Sequence, residues 1–130
     1  MRLKGTHVAL GLLALFLLRS NDAGGGVHSW DKKRLTKAQL RDLAGRAGFP
    51  DPNLAAAIAM AESGGNPDAV GDSGVSIGLW QVNTSAHPNW TKADLHDPEH
   101  NANAAYAISA GGSDWSPWTV YKTGAYKRFL

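Results

Sequence analysis

The chain has 130 residues, with 13 basic and 11 acidic side chains and no cysteine. This length suits one domain with one core, and the lack of cysteine excludes disulfides and Cys-ligated zinc or iron–sulfur sites. Residues 1–23 carry three of the bases and one acid, so residues 24–130 have as many acidic as basic residues. The charge therefore gives no indication of a nucleic-acid partner.

An unbroken apolar run of 11 residues, Val8 to Leu18, follows two basic residues near the N-terminus. A membrane-spanning helix needs ~20 apolar residues, whereas the core of a signal peptide has ~7–15. Residues 1–23 are therefore predicted to be a signal peptide or a short membrane anchor, which would contact the membrane through residues 8–18. Although no Ala-x-Ala cleavage site precedes the glycines, this leader predicts an exported (secreted or cell-envelope) or virion-associated protein.

Three glycines open a predicted linker, residues 24–30, and residues 31–130 are predicted to form one catalytic domain. The first helix is predicted in the segment LTKAQLRDLAGRAGF. Thr36 and Gln39 have the spacing of a capping box, and Gly48 fits a C-terminal stop.

Two further helices are predicted from a shared pattern of an Asp-Pro start, an alanine-rich body and a glycine stop. One begins at Asp51 and ends before Gly64, and the other begins at Asp97 and ends before Gly111. Between them, residues 63–76 are dense in Gly, Asn, Asp and Pro, which predicts a loop or an irregular hairpin. The expected fold class is mainly α, in a small single domain.

Glu62 lies in the last turn of the second predicted helix, which carries no basic residue. The negative end of the helix dipole and the apolar neighbours are both expected to raise the pKa of this carboxyl. A glutamic acid that is still protonated near neutral pH can protonate the leaving oxygen of a glycoside. The plain alternative is a surface glutamate at a frayed helix end. The other glutamate, Glu99, stands at a helix start, where negative charge is stabilised.

Three segments carry a family resemblance: AESGGNPDAV, GVSIGLWQVN and DPEHNANAAYAI. They are similar to the glutamate–serine motif, the Gly-Leu-Met-Gln segment and the Asn-containing helix of the lysozyme-like superfamily. The chain resembles in particular the lytic transglycosylase (SLT-type) and goose-type lysozyme domains of phage tail and bacterial cell-wall proteins. The resemblance implies a lysozyme-like fold, with the glycine-rich loop or short hairpin beside an active-site cleft that binds peptidoglycan glycan strands. No cofactor is expected, and the chain is expected to be a monomer.

The resemblance implies that Glu62 is the catalytic acid and base and that Ser63 supports the end of its helix. Trp80, which replaces the family's methionine, serves equally well as an apolar wall for a sugar or as core. The residues expected along the glycan cleft are Gly78, Leu79, Trp80, Gln81 and Asn83.

The sequence departs from the family pattern at two places. The tyrosine that contacts the catalytic glutamate falls on Ile108, so Tyr106, two residues earlier, and Tyr121, in the tail, are the candidates for its role. Asn83 stands where goose-type enzymes have an acid. Asp72 matches another acid of that group and is the best second carboxylate, with Asp68 as runner-up.

These departures bear on the reaction. A lytic transglycosylase needs only one glutamate, and the amide at position 83 favours that mechanism. Hydrolysis needs a second carboxylate to activate water. Because Asp72 could serve as this carboxylate, hydrolysis stays open as an alternative. A non-catalytic wall-binding or virion structural module and a membrane-anchored lysis protein are the other hypotheses. His96 and His100 have helical metal-ligand spacing but no third ligand at a diagnostic distance in sequence, so no metal site is predicted.

Overall fold

The structure, a computed structural model, describes residues 34–130, so the predicted leader and linker lie outside the described residues. The helices are α1 (Lys37–Ala47), α2 (Pro52–Ser63), α3 (Lys92–Leu95), α4 (Pro98–Ile108) and α5 (Thr119–Thr123). The strands are β1 (Val70–Gly71), β2 (Ser76–Ile77) and β3 (Val82–Asn83), and 3-10 turns cover Asp72–Gly74 and Ala125–Phe129. Within residues 34–130, no helix has the length and apolar character needed to cross a membrane. The predicted mainly helical fold with a short hairpin is confirmed.

The ends of the three longer helices are set by local hydrogen bonds. The capping box at the start of α1 is present: the Thr36 hydroxyl accepts from Gln39 N at 3.1 Å, and Gln39 Oε1 accepts from Thr36 N at 2.8 Å. Asp51 and Asp97 accept from backbone N–H groups three residues on, at 3.1 and 3.0 Å. Gly48 ends α1 with φ +105°, a conformation that glycine adopts without a steric penalty. The three predicted N-caps and the Gly48 stop are therefore confirmed, whereas the C-cap of α4 is Ser109 and not Gly111.

Helices α1 and α2 run antiparallel, as shown by a backbone hydrogen bond between the residue before α1 and the residues just after α2. Leu35 N, just before α1, donates to Gly65 O, just after α2, at 2.8 Å. The two helices share a core of leucine, alanine and aromatic side chains with α4 and the C-terminal residues. Its largest buried members are Leu40, Leu43, Phe49, Ile58, Leu79, Trp80, Trp115 and Trp118.

The three strands form an antiparallel sheet in the order β1-β2-β3, with Ser76 opposite Asn83 and Ile77 opposite Val82. Ile77 and Val82 pack with Leu95 of α3 and with α4 in a second apolar cluster. Since successive side chains of a strand point to opposite faces, Ser76 and Asn83 lie on the face of the sheet away from α3 and α4.

Candidate active site

The Glu62 carboxyl is buried in the last turn of α2, with no exposed surface. Within residues 34–130 neither of its oxygens has a hydrogen-bond partner. Loss of solvation raises the pKa of Glu62 well above its usual value near 4.5. The rise expected from the sequence is confirmed, and burial is its cause. The structure thus holds a carboxylic acid that keeps its proton at a pH where an exposed glutamate is ionised.

Glu99 provides the contrast within the same chain. It lies in the first turn of α4, its side chain is 60% exposed, and it accepts from the Arg46 guanidinium at 2.9 Å. Such an exposed ion pair contributes little to stability. Its placement needs no catalytic explanation, as the sequence indicates.

The end of α2 is held by hydrogen bonds from both sides. The Ser63 hydroxyl donates to Ala59 O at 3.1 Å and accepts from Gly65 N at 3.2 Å. The Arg34 guanidinium donates to Gly64 O at 3.4 Å, next to the contact between residues 35 and 65. Ser63 therefore has the position of a support for the residue beside it, Glu62, and the segment before α1 shares that task.

Replacement of Gly65 by alanine is expected to disrupt this helix end. A Cβ there would lie 2.2 Å from Leu35 O, and the backbone has φ +83°. We expect the free energy of unfolding to fall by about 3 kcal/mol or more, from overpacking and backbone strain together. Gly74→Ala is the matched control, since its φ is +93° with no atom within 4 Å of the added Cβ. Urea unfolding should show a loss of only about 1–2 kcal/mol there, and equal losses would contradict the steric argument.

The buried acid predicts a pH dependence of stability. In the unfolded chain Glu62 ionises near pH 4.5, whereas in the fold it keeps its proton to higher pH. The contribution of the neutral Glu62 carboxyl to the free energy of unfolding is therefore fully present below that pH. It is lost as the pH rises toward the folded-state pKa. Relative to Glu62→Gln, the wild type should lose about 1.4 kcal/mol per pH unit across this window. Thermal melts from about pH 4 to about pH 8 measure the difference, and parallel curves would show an exposed Glu62.

Asn101 of α4 fixes the Gly78–Gln81 turn. Its Oδ1 accepts from Trp80 N at 2.9 Å, and its Nδ2 donates to Ile77 O at 2.8 Å and to Leu95 O at 2.9 Å. A Cβ on Gly78 would lie 2.3 Å from this Nδ2. The glycine of the motif is thus required by the close approach of the Asn101 amide.

Trp80 and Leu79 are core residues, with no exposed surface. The Trp80 indole donates to Ala55 O at 3.1 Å and stacks on Phe49 at 6.1 Å between ring centroids. The sequence leaves two interpretations of Trp80 open, and the structure supports the one in which its indole belongs to the core. The buried ring offers no wall for a sugar, contrary to its place among the predicted cleft residues.

Gln81 has a strained backbone and an oriented side chain. Its φ is +49°, a region that non-glycine residues rarely adopt and that is concentrated at functional sites. Its Nε2 donates to Ala69 O at 3.0 Å and to Gly78 O at 3.1 Å. Both donors are satisfied, so the amide presents its Oε1, which is buried and has no partner within residues 34–130.

The candidate second carboxylates lie on the loop and sheet that follow α2. Asp72 begins the 3-10 turn between β1 and β2, is half-buried, and has φ +53°. The carboxylate oxygen Oδ1 of Asp68 lies 3.8 Å from His96 Nδ1. Asn83 is 8% exposed and its Oδ1 accepts from Ser85 N and Ala86 N, at 2.8 and 3.1 Å. The Asn83 carboxamide therefore closes a turn.

The two candidate tyrosines pack against different aromatic residues. Tyr106 packs edge-on against Phe49 at 5.3 Å, and its hydroxyl is near Gly48. Gly48 precedes α2, so Tyr106 is at the helix end opposite Glu62, on the order of 15 Å away at 1.5 Å per residue. The structure does not bring it to Glu62. Tyr121 is 38% exposed and stacks on Tyr126 at 5.2 Å.

Two buried polar residues on the segments that follow α2 are missing from the sequence-based set. Asn66 Nδ2 and Ser76 Oγ are buried and have no partner within residues 34–130. One lies in a loop and the other in a two-residue strand, so periodicity gives no signal for their burial. Within residues 34–130, no group of three His, Asp or Glu side chains is placed to hold a metal ion.

Comparison with known proteins gives one finding. A family model described as a lysozyme-like domain matches residues 41–120, a range that contains α2, the sheet, α3 and α4. No curated protein and no solved structure matches the chain. The family model covers more than half of the chain and includes Glu62, Gln81 and Asn101. The chain belongs to the lysozyme-like domain family.

Proposed function

We propose that the protein is a peptidoglycan-cleaving muramidase that acts as a lytic transglycosylase on the β-1,4 bond between N-acetylmuramic acid and N-acetylglucosamine. The observation that carries the proposal is the buried Glu62 carboxyl at the end of α2, which has no hydrogen-bond partner among residues 34–130. The family match supports the coarser part of the proposal, a peptidoglycan-related glycosidase. The amide at position 83 supports a mechanism with one carboxyl group.

In this mechanism Glu62 acts twice. As an acid it gives its proton to the glycosidic oxygen while the bond from muramic C1 to that oxygen breaks. As a carboxylate it then takes the proton from the muramic O6 hydroxyl, and O6 forms a bond to C1. The product is a 1,6-anhydro sugar, water is not consumed, and Glu62 ends protonated. A pKa raised by burial suits the first step.

The Glu62 carboxyl has no exposed surface, so a glycan reaches it only when neighbouring groups move. The proposal therefore includes an opening on substrate binding, as is common for catalytic sites that exclude water.

The test is mass spectrometry of the fragments released from purified peptidoglycan. Anhydro-muramoyl ends are expected, and reducing ends, heavier by one water, would show hydrolysis. Binding to insoluble peptidoglycan with no soluble muropeptides would identify a non-catalytic wall-binding module and overturn the proposal.

The hydrolase alternative rests on Asp72, which is half-buried at the β1–β2 turn. If this carboxylate positions a water molecule, Asp72→Asn should lower the rate on the order of 10²-fold or more. We expect less than about a threefold change, because the single-glutamate mechanism uses no second base. Initial rates of muropeptide release measure the effect, and Asp94→Asn, on the exposed surface of α3, is the control for charge loss.

We further propose that residues 1–23 direct export, which brings the enzyme to its polymeric substrate. N-terminal sequencing of the mature protein tests this. A start after residue 23 indicates cleavage, and an intact N-terminus in the membrane fraction indicates a retained anchor.

A further inference from the structure

The end of the chain carries a surface of positive charge. Residues 51–114 have eight acidic side chains and one basic side chain, whereas residues 115–130 have three basic side chains and no acidic one. We call residues 119–130, which comprise α5 and the 3-10 turn after it, the basic tail. Its Lys127 and Arg128 are exposed. Positive charge on one part of the surface, without acids beside it in the chain, attracts anionic partners.

The basic tail is folded onto the domain. Backbone hydrogen bonds link residues three apart: Gly124 N donates to Tyr121 O at 3.2 Å, and Lys127 N donates to Gly124 O at 3.0 Å. The side chains that pack against the main core are Ala125, Tyr126 and Phe129. The exposed side chains of the tail are therefore presented from a backbone that is fixed in position.

The two exposed cations of this segment lie close to its other surface groups. Arg128 Cζ is 5.2 Å from the centroid of the Phe129 ring, within the range of a cation–π contact. A Cβ on Gly124 would lie 3.7 Å from Lys127 Cδ and 3.9 Å from its Nζ, so the lysine side chain lies beside the glycine that ends α5. The same glycine is hydrogen-bonded to Tyr121, whose ring is 38% exposed. The tail thus presents an aromatic ring and two cations on neighbouring turns.

This combination complements a polymer that has both rings and carboxylates. Peptidoglycan, the polymer on which the proposed enzyme acts, has sugar rings that pack on aromatic side chains and peptide stems that end in carboxylates. An anionic membrane is the competing partner. Helices that bind a membrane surface insert a continuous apolar face. The two helical elements of the tail have only five residues each, and the rings of Tyr126 and Phe129 pack against the core. The structure therefore favours the polymer.

We propose that the basic tail is a second binding surface for peptidoglycan, in which Lys127 and Arg128 bind the carboxylates of the peptide stems and Tyr121 packs on a sugar ring. This inference rests on the proposed function for its ligand. Tyr121 is a candidate already by family resemblance, and the two cations are the new members. A second contact with the same polymer keeps a glycan strand at high effective concentration near the protein.

The first experiment measures binding without turnover. Protein with Glu62→Gln is mixed with insoluble peptidoglycan from which phosphodiester polymers have been removed by hydrofluoric acid, and the bound fraction is measured by sedimentation. Adding Lys127→Gln and Arg128→Gln together should weaken the dissociation constant about tenfold, the effect of losing two exposed ion pairs.

The matched control removes two exposed cations elsewhere. Arg41 of α1 and Lys92 of α3 are both exposed, and replacing both by glutamine should change the dissociation constant by less than about twofold. Thermal midpoints of the two double variants show whether both are folded. Equal losses of binding in the two would overturn the surface, because general charge would then account for the effect.

The second experiment changes the polymer instead of the protein. Amidation of the stem carboxylates should weaken binding by about the same factor as the Lys127→Gln/Arg128→Gln pair, and that pair should have no further effect on amidated peptidoglycan. Raising the salt concentration from about 0.05 M to about 0.5 M should weaken binding more when the two cations are present. A purely structural role of Lys127 and Arg128 would not depend on the carboxylates of the polymer.

The outcomes separate the surface from the enzyme. If amidation leaves the difference between the proteins with and without the two cations unchanged, or if phosphatidylglycerol vesicles bind as tightly as peptidoglycan, the surface is overturned. The proposed function then stands as long as wild-type protein releases muropeptides. Binding that depends on both the tail cations and the stem carboxylates, in a wild-type protein that releases no muropeptides, would support the surface and overturn the proposed enzyme.

Discussion

Glu62→Gln is expected to reduce muropeptide release from purified peptidoglycan by on the order of 10²–10⁴-fold, the usual effect of removing a general acid–base group. The amide has nearly the same shape as the buried carboxyl but cannot donate a proton to the glycosidic oxygen or accept one from O6. The variant should fold as well as the wild type, because the carboxyl it replaces makes no hydrogen bond within residues 34–130. Release rates and thermal midpoints of the two purified proteins measure both effects.

Glu99→Gln is the matched control for this variant. It changes the chain's other glutamate, which is 60% exposed and paired with Arg46, and should leave the rate unchanged. Full activity of Glu62→Gln would refute the catalytic assignment. An inactive variant with a strongly lowered midpoint would instead indicate a structural role for the carboxyl.

Asn101→Ala is expected to be the most destabilising single substitution of a polar side chain in the domain. It removes three buried hydrogen bonds, to Trp80 N, Ile77 O and Leu95 O, and leaves those backbone groups unpaired. At about 1–3 kcal/mol for each unsatisfied buried group, we expect the free energy of unfolding to fall by about 3 kcal/mol or more. Urea unfolding of the wild type and the variant measures the loss.

Asn103 lies two residues further along α4, on its exposed side, and Asn103→Ala is the control. This substitution should change the free energy of unfolding by less than about 0.5 kcal/mol. Asn101→Asp adds a finer test. It keeps the acceptor for Trp80 N and loses both donors, so it should remain strongly destabilised. If Asn101→Ala were no worse than Asn103→Ala, the role of Asn101 in fixing the Gly78–Gln81 turn would be refuted.

The local structure could be predicted from the sequence because the interactions involved span three or four residues. The Thr36–Gln39 capping box and the Asp51 and Asp97 caps are examples. The raised pKa of Glu62 belongs here too, since an alanine-rich helix without a basic residue predicts poor solvation at its end.

Packing between distant segments could not be predicted in the same way. The sequence could not decide whether Trp80 forms a wall for a sugar or part of the core. Its indole is placed by contacts with Ala55 and Phe49, which are distant in the sequence. The displacement of Tyr106 from Glu62 has the same origin. Gly48 and Phe49 precede α2 in the chain, but only the packing of α4 shows that Tyr106 lies against them.

The sequence by itself determined the three longer helices, the short hairpin region and Glu62 as the candidate acid, because each depends on neighbours in the chain. The short helices α3 and α5 were not predicted. Only the tertiary structure decided which residues of the Gly-Leu-Trp-Gln segment face inward, and that Asn101 holds this segment in place. The buried donors and acceptors of Asn66 and Ser76 are also a tertiary result. Both residues are buried and without a hydrogen-bond partner among residues 34–130, and packing between separate segments leaves no periodic signal in the sequence.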